Sequence, residues 1–199
     1  MRLVQLRSLS LPCVIAILLV SLPGHTVAAA GDPTPAGAEP NPMYHGALPW
    51  ELPDDAEEMV VHSVTDGDTV RLTYPNDDWY YNTRIIGIQA PEMDGPWTGE
   101  ECYGPEAKEF MIELLPVGTR VWSQQDISDE DDNGRRLRHL FLVEEDTGDA
   151  YLISEILVLG GFAVARSYPP DDLYDDILAE AQELAETDDE GLWDSCSRR

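Results

Sequence analysis

Lysine is almost missing from this sequence. Of 12 basic residues set against 39 acidic ones, only Lys108 is a lysine, and the formal charge is −27. A broad basic face that grips nucleic acid through many lysine contacts is therefore excluded. A small cluster of arginines inside an acidic shell is not. Such a composition also suits solubility at high salt, where the Debye length shrinks to about 3 Å near 1 M. Cysteine is scarce: Cys13, Cys102 and Cys196 are the three, with no CxxC spacing and no Cys/His pair close in sequence. A zinc site built on them is not expected. No internal repeat is present, which removes solenoid and propeller architectures. The one long apolar run, residues 11–22, is short of the roughly 20 residues a bilayer-spanning helix needs.

What is there is enough for one domain. The chain has 199 residues, 43% of them hydrophobic, which supports a single core and argues against wholesale disorder. Residues 1–30 carry Arg2, Arg7 and no acid, then the apolar run, then Ala28-Ala29-Ala30. This is the pattern of a secretory signal peptide with a small-residue cleavage site; an uncleaved anchor is the alternative. Cleavage would leave an exported chain with no membrane anchor. Cys102 and Cys196 would remain as an even pair, expected to be bridged in an oxidising compartment; two unrelated buried thiols are the alternative. Residues 31–57 are acidic and proline-rich and read as an extended lead. His45 and Trp50 are expected there as surface residues, with packing of Trp50 back on the fold as the alternative. The folded domain is expected over 58–194, with a short tail at 195–199.

Residues 59–64 and 69–74 read as strands joined by the turn Asp66-Gly67-Asp68, and 80–88 as a third strand ended by Pro91. Pro105 opens a helix, and Ala107, Phe110, Met111, Leu114 and Leu115 form its apolar stripe. Residues 120–125 and 137–143 are further strands, joined by an acidic loop. Helices are expected at 151–159 and 171–186, the latter with Leu173, Ile177, Ala181 and Leu184 inward. This order implies an α+β protein, a five-stranded Greek-key barrel with three helices packed outside.

Several residues could carry chemistry. Asp66 and Asp68 flank a glycine, an arrangement able to hold a hard cation and equally an ordinary hairpin turn. Arg84 lies inside an apolar strand and needs an anionic partner, because an unpaired buried charge costs several kcal/mol. Glu92, at the end of that strand, can serve as a general base or be simply a solvated loop glutamate. Arg135 follows Asn133-Gly134 and can act as a phosphate fork or a surface hairpin residue. Asp129-Glu130-Asp131-Asp132-Asn133-Gly134 imitates the start of a calcium loop, but Leu140 stands where the closing acid should be, so a solvated acidic loop is expected.

Taken together, the blocks Thr65-Asp66-Gly67-Asp68-Thr69-Val70, Arg84-Ile85-Ile86-Gly87-Ile88-Gln89-Ala90-Pro91-Glu92, Tyr103-Gly104-Pro105-Glu106-Ala107, Asp131-Asp132-Asn133-Gly134-Arg135, Ile156-Leu157-Val158-Leu159-Gly160-Gly161-Phe162-Ala163 and Gly191-Leu192-Trp193 resemble the thermonuclease, or staphylococcal-nuclease-like, family. The resemblance implies an OB-fold barrel and a secreted, calcium-dependent nuclease acting on DNA and RNA with little sequence preference. By carry-over, Arg84, Glu92 and Arg135 would be catalytic. Asp68, Gln89 and the backbone oxygen of Ala90 would hold Ca2+, with Asp66 behind them. Tyr168 would contact substrate. Gln89 stands where the family has a second metal-binding aspartate, so the site loses a charge. That departure motivates an alternative, a catalytically weak module that binds nucleic acid or another anion. Nothing in the sequence points to a protein partner.

Overall fold

A computed structural model of the chain describes residues 41–93, 99 and 101–196. The signal-peptide reading of 1–30 lies outside the described residues. The element order is β1 (Glu57–Asp66), β2 (Thr69–Thr73), β3 (Tyr80–Ile85), β4 (Ile88–Gln89), α1 (Gly104–Leu114), β5 (Arg120–Gln124), β6 (Arg136–Val143), β7 (Ala150–Leu152), α2 (Ile153–Leu159), β8 (Val164–Ala165), α3 (Asp175–Thr187) and α4 (Leu192–Cys196).

Strands run in the order β3-β2-β1-β5-β6, and a parallel pairing of β3 with β6 closes them into a five-stranded barrel. The expected α+β barrel is what forms, with four helices among the described residues rather than three. β1 is long enough to serve two neighbours. Its first residues pair with β5 and the rest with β2, and register shifts after Val61 and Val64 bend it between the two. Alternate residues point inward: Met59 and Val61, Val70 and Leu72, Leu140 and Leu142 are all buried. Ala107, Met111 and Leu114 of α1 and Ile153, Ile156 and Leu157 of α2 belong to the same core. Full burial of such side chains is worth about 1.5–3 kcal/mol each.

Four local expectations change. The third strand does not run to residue 88: Gly87, at φ +83° and under Leu178, breaks it, and β4 then pairs with β8. A side chain there would be strained by φ and blocked by Leu178. The helix expected over 151–159 starts later, because 150–152 are drawn into a hairpin with β6. The last long helix begins at Asp175, and its inward face is Leu178, Ala181 and Ala185. Leu173 and Leu184 are instead 54% and 56% exposed. Ala181 is inward as expected, but its neighbours on that face are Leu178 and Ala185 rather than Ile177 and Leu184, because Leu178 fills the space over Gly87. Finally, residues 41–56 pack on the barrel rather than trailing as a free lead. Trp50 and Ala150 bond each other's backbones, the Trp50 indole donates to Glu155 at 2.9 Å, and His45 lies against Phe110 and Phe162.

Cys102 and Cys196 form a disulfide, with Cα atoms 5.9 Å apart, joining the approach to α1 to the end of α4. The pairing expected for an exported chain is therefore present, and the reading of two unrelated thiols is not.

Candidate active site

The turn between β1 and β2 sets one wall of the site. Gly67 is buried there, and a Cβ on it would come within 2.6 Å of the Ala90 methyl and 3.1 Å of the Ala107 methyl. Its glycine is required by this close approach, not by a left-handed backbone. The approach brings Asp68 against the strand end that carries Ala90. The Ala90 amide donates to Asp68 Oδ2 at 2.9 Å, and the Thr69 hydroxyl donates to Asp68 Oδ1 at 3.0 Å.

Arg84 meets this carboxylate from the end of β3. It is 7% exposed and Asp68 is 6% exposed, and the two form an ion pair through Nη1. Nη2 donates to the Ile88 carbonyl at 2.9 Å and to Gln89 Oε1 at 3.0 Å. The anionic partner that an arginine in an apolar strand demands is thus Asp68. Burial draws the Arg84 pKa below its ordinary value, with Tyr168 acting against it. Asp66 supports the turn, its Oδ1 accepting the Asp68 amide at 3.3 Å. Burial raises the Asp66 pKa, against the pull of Thr69, Arg84, Arg135 and Lys108.

Arg135 enters from the far side. Its Nε and Nη2 both lie 2.7 Å from Asp131 Oδ2, and Nη1 donates to the Thr69 hydroxyl at 3.5 Å. Thr69 therefore links the surroundings of the two arginines. Asp131 Oδ1 accepts the amides of Asn133 and Arg135, both at 2.9 Å. Burial alone would raise the Asp131 pKa; these bonds bring it below its ordinary value. The acidic loop is mostly exposed, as expected, but Asp131 is an exception and holds Arg135 in place. Its signal in the sequence was Asp131-x-Asn133-Gly134, the spacing of a carboxylate capping its own turn. Thr69 was the other functional residue that sequence reasoning did not single out.

Glu92 is exposed, with its backbone tied to Glu101: its amide donates to Glu101 Oε2 at 3.0 Å, and its carbonyl accepts the Glu101 amide at 2.9 Å. Gln89 bridges the two halves. Its Oε1 accepts from Arg84 and from the Tyr168 hydroxyl at 3.1 Å, while Nε2 donates to Ala90 O at 3.0 Å and Glu92 Oε1 at 3.3 Å. Arg84, Gln89, Asp131, Arg135, Tyr168 and Asp171 line one cleft of about 190 Å³.

These residues do not fit a resident calcium ion. Among the described residues no three His, Cys, Asp or Glu side chains could together hold a metal. Asp68 is the one carboxylate in the expected set, and both its oxygens already accept donors. The Gln89 amide points its N–H groups at Ala90 O and Glu92, the two oxygens a cation would otherwise draw on. Calcium affinity rises with ligand charge, which this set lacks.

A closed five-stranded barrel of the OB-like type thus carries two arginines on one cleft, with Glu92 tied to it through Gln89. Residues 82–195 match the model of the staphylococcal nuclease homologue family. The chain is 30% identical over 138 residues to a thermonuclease of Staphylococcus intermedius, covering 69% of this chain and 77% of that protein. It is 31% identical over 130 residues to a thermonuclease of Staphylococcus hyicus, covering 65% of this chain and 72% of that one. The chain belongs to the staphylococcal nuclease homologue family.

Proposed function

We propose that this protein is an exported nuclease that hydrolyses phosphodiester bonds of DNA and RNA with little sequence preference. The observation that carries this reading is the convergence of Arg84 and Arg135 on one cleft, with Glu92 held to it through Gln89. Arg84 and Arg135 donate to the non-bridging phosphate oxygens, where charge grows in the transition state. Glu92 accepts a proton from the attacking water, whose oxygen bonds to phosphorus. The ester P–O bond breaks, and its oxygen leaves as an alcohol after taking up a proton. Tyr168 closes one side of the cleft over the substrate. Because contacts fall on phosphate rather than base edges, little sequence is read. No step runs through calcium, which the side chains present do not fit. Export rests on the N-terminal pattern of residues 1–30.

The neutral Gln89 favours a second reading, a module that binds nucleic acid without cutting it. Incubating the purified protein with labelled single-stranded DNA and RNA separates the two. The nuclease reading expects progressive shortening, abolished in Glu92→Gln. Retarded but intact substrate would replace it with the binding module.

A further inference from the structure

The outer face of β2 and β3 continues away from the cleft in a way the catalytic residues do not use. The cross-strand pairs Thr69–Arg84, Arg71–Asn82 and Thr73–Tyr80 succeed one another at two-residue steps. Side chains at that spacing lie on one face. The intervening Val70 and Leu72 are buried in the barrel. The first pair borders the site; the last ends at an aromatic platform. Arg84 and Tyr80 are four positions apart on β3, a run of about 13 Å, the length of about four stacked nucleotides at 3.4 Å each.

That platform is exposed and ordered. Trp79 is 69% exposed and Tyr80 40% exposed. The Tyr80 ring stacks on His62 at 4.9 Å and 15°, and on Trp79 at 6.4 Å and 13°. The Trp79 amide donates to Asp77 Oδ1 at 3.0 Å, which fixes the indole's base. Arg71 lies 5.1 Å from the Tyr80 ring centre, its Nε donating to Asn82 Oδ1 at 3.2 Å. Arg84, Arg120, Arg135 and Arg138 are each ion-paired to a carboxylate, whereas Arg71, Arg136 and Arg166 are in no ion pair among the described residues, and of these Arg71 is the one that lies over Tyr80. In a chain with 39 acids, an arginine kept clear of them and laid on a tyrosine is set out for an anion that comes from outside. Asp77 and Asp78 sit beyond Trp79 and repel phosphate, so a strand would end there on its bases.

We propose that this face is a second subsite, which holds a single-stranded stretch of nucleic acid leading out of the cleft. Arg71 takes a phosphate, and Trp79 stacks on a base, backed by Tyr80 and His62. Single strands fit because their bases are free to stack, and stacking is indifferent to base identity. The subsite rests on the nuclease reading for its role, but not for its detection. Binding of a fluorescein-labelled 12-nucleotide single strand is measured by anisotropy in the Glu92→Gln background, which separates binding from turnover. Trp79→Ala and Arg71→Ala are each expected to weaken it by about tenfold, within the range of losing one stacked base. Trp79→Phe, which keeps a stacking ring, should restore most of the affinity. In the active enzyme, the ratio of kcat/KM for the 12-mer to that for a dinucleotide should fall by about the same factor. Unchanged 12-mer affinity in Trp79→Ala, or an equal loss on 12-mer and dinucleotide, would overturn the subsite. If the native protein cuts nothing, the nuclease reading falls while the anisotropy series still decides this one.

Discussion

The Gln89 carboxamide donates to the Glu92 carboxylate across 3.3 Å while its oxygen accepts from Arg84 at 3.0 Å. One neutral side chain thus connects the proposed phosphate-binding cation to the proposed base. Replacing Gln89 with aspartate would break the donor side of that link and place a second carboxylate beside Asp68. We expect Gln89→Asp to bind calcium with a Kd of about 10⁻⁴–10⁻³ M, and the native protein to bind on the order of tenfold more weakly or less. Isothermal titration with calcium, without substrate, is the check. Equal affinities would mean that residue 89 does not control cation binding.

The two arginines should differ in what their loss does. Arg84→Ala and Arg135→Ala should each cut turnover at least about a hundredfold, the scale of one lost transition-state donor. Arg84→Ala also leaves Asp68 buried without its cation, which costs about 3–5 kcal/mol. Arg135 is partly exposed, and its partner Asp131 keeps two backbone donors. Thermal melts should therefore show a large loss for Arg84→Ala and a small one for Arg135→Ala. A shared, small loss would contradict the buried pairing.

His139 predicts a pH effect. Burial lowers its pKa below the ordinary 6.5, against the opposing pull of Asp126, Asp171 and Asp175. The unfolded chain therefore takes up a proton more readily than the folded one. Stability from this residue is complete above 6.5 and is lost as pH falls from there through the lower folded-state value. His139→Gln should flatten the decline of Tm between about pH 7 and pH 5. An unaltered slope would show that His139 does not titrate on unfolding.

The disulfide closes a loop with a sequence separation of 94, for which chain entropy gives about 4–5 kcal/mol. Reduction should lower the Tm by several degrees, and Cys102→Ser should melt like the reduced protein. Two free thiols by mass in the unreduced protein would remove the bridge.

Much of the barrel is legible in the sequence because alternation is a local signal: Val70 and Leu72, or Leu140 and Leu142, mark one face without knowledge of any partner. The site was legible only through motif resemblance. Arg84 announced a need for an anion, but its identity depended on the turn at Gly67 reaching Ala90. The phase of the last long helix was not legible, since Ile177 and Leu178 are equally apolar and only the hollow over Gly87 chooses between them. Tyr151 and Leu152 continue a helical apolar run, and strand pairing with β6 overrides it. Trp50 lies in a proline-rich stretch, and nothing local reveals that Ala150 and Glu155 receive it.

The loop closed by Cys102 and Cys196 contains the acidic segment between β5 and β6, where Glu130, Asp132 and Asn133 are exposed. Exposed polar loops are where proteases cut first. A single cut there would leave the two fragments joined by the bridge and still paired through β5, β6 and β3. On the export proposed above, the protein would thus survive a nick beside Arg135 as one molecule.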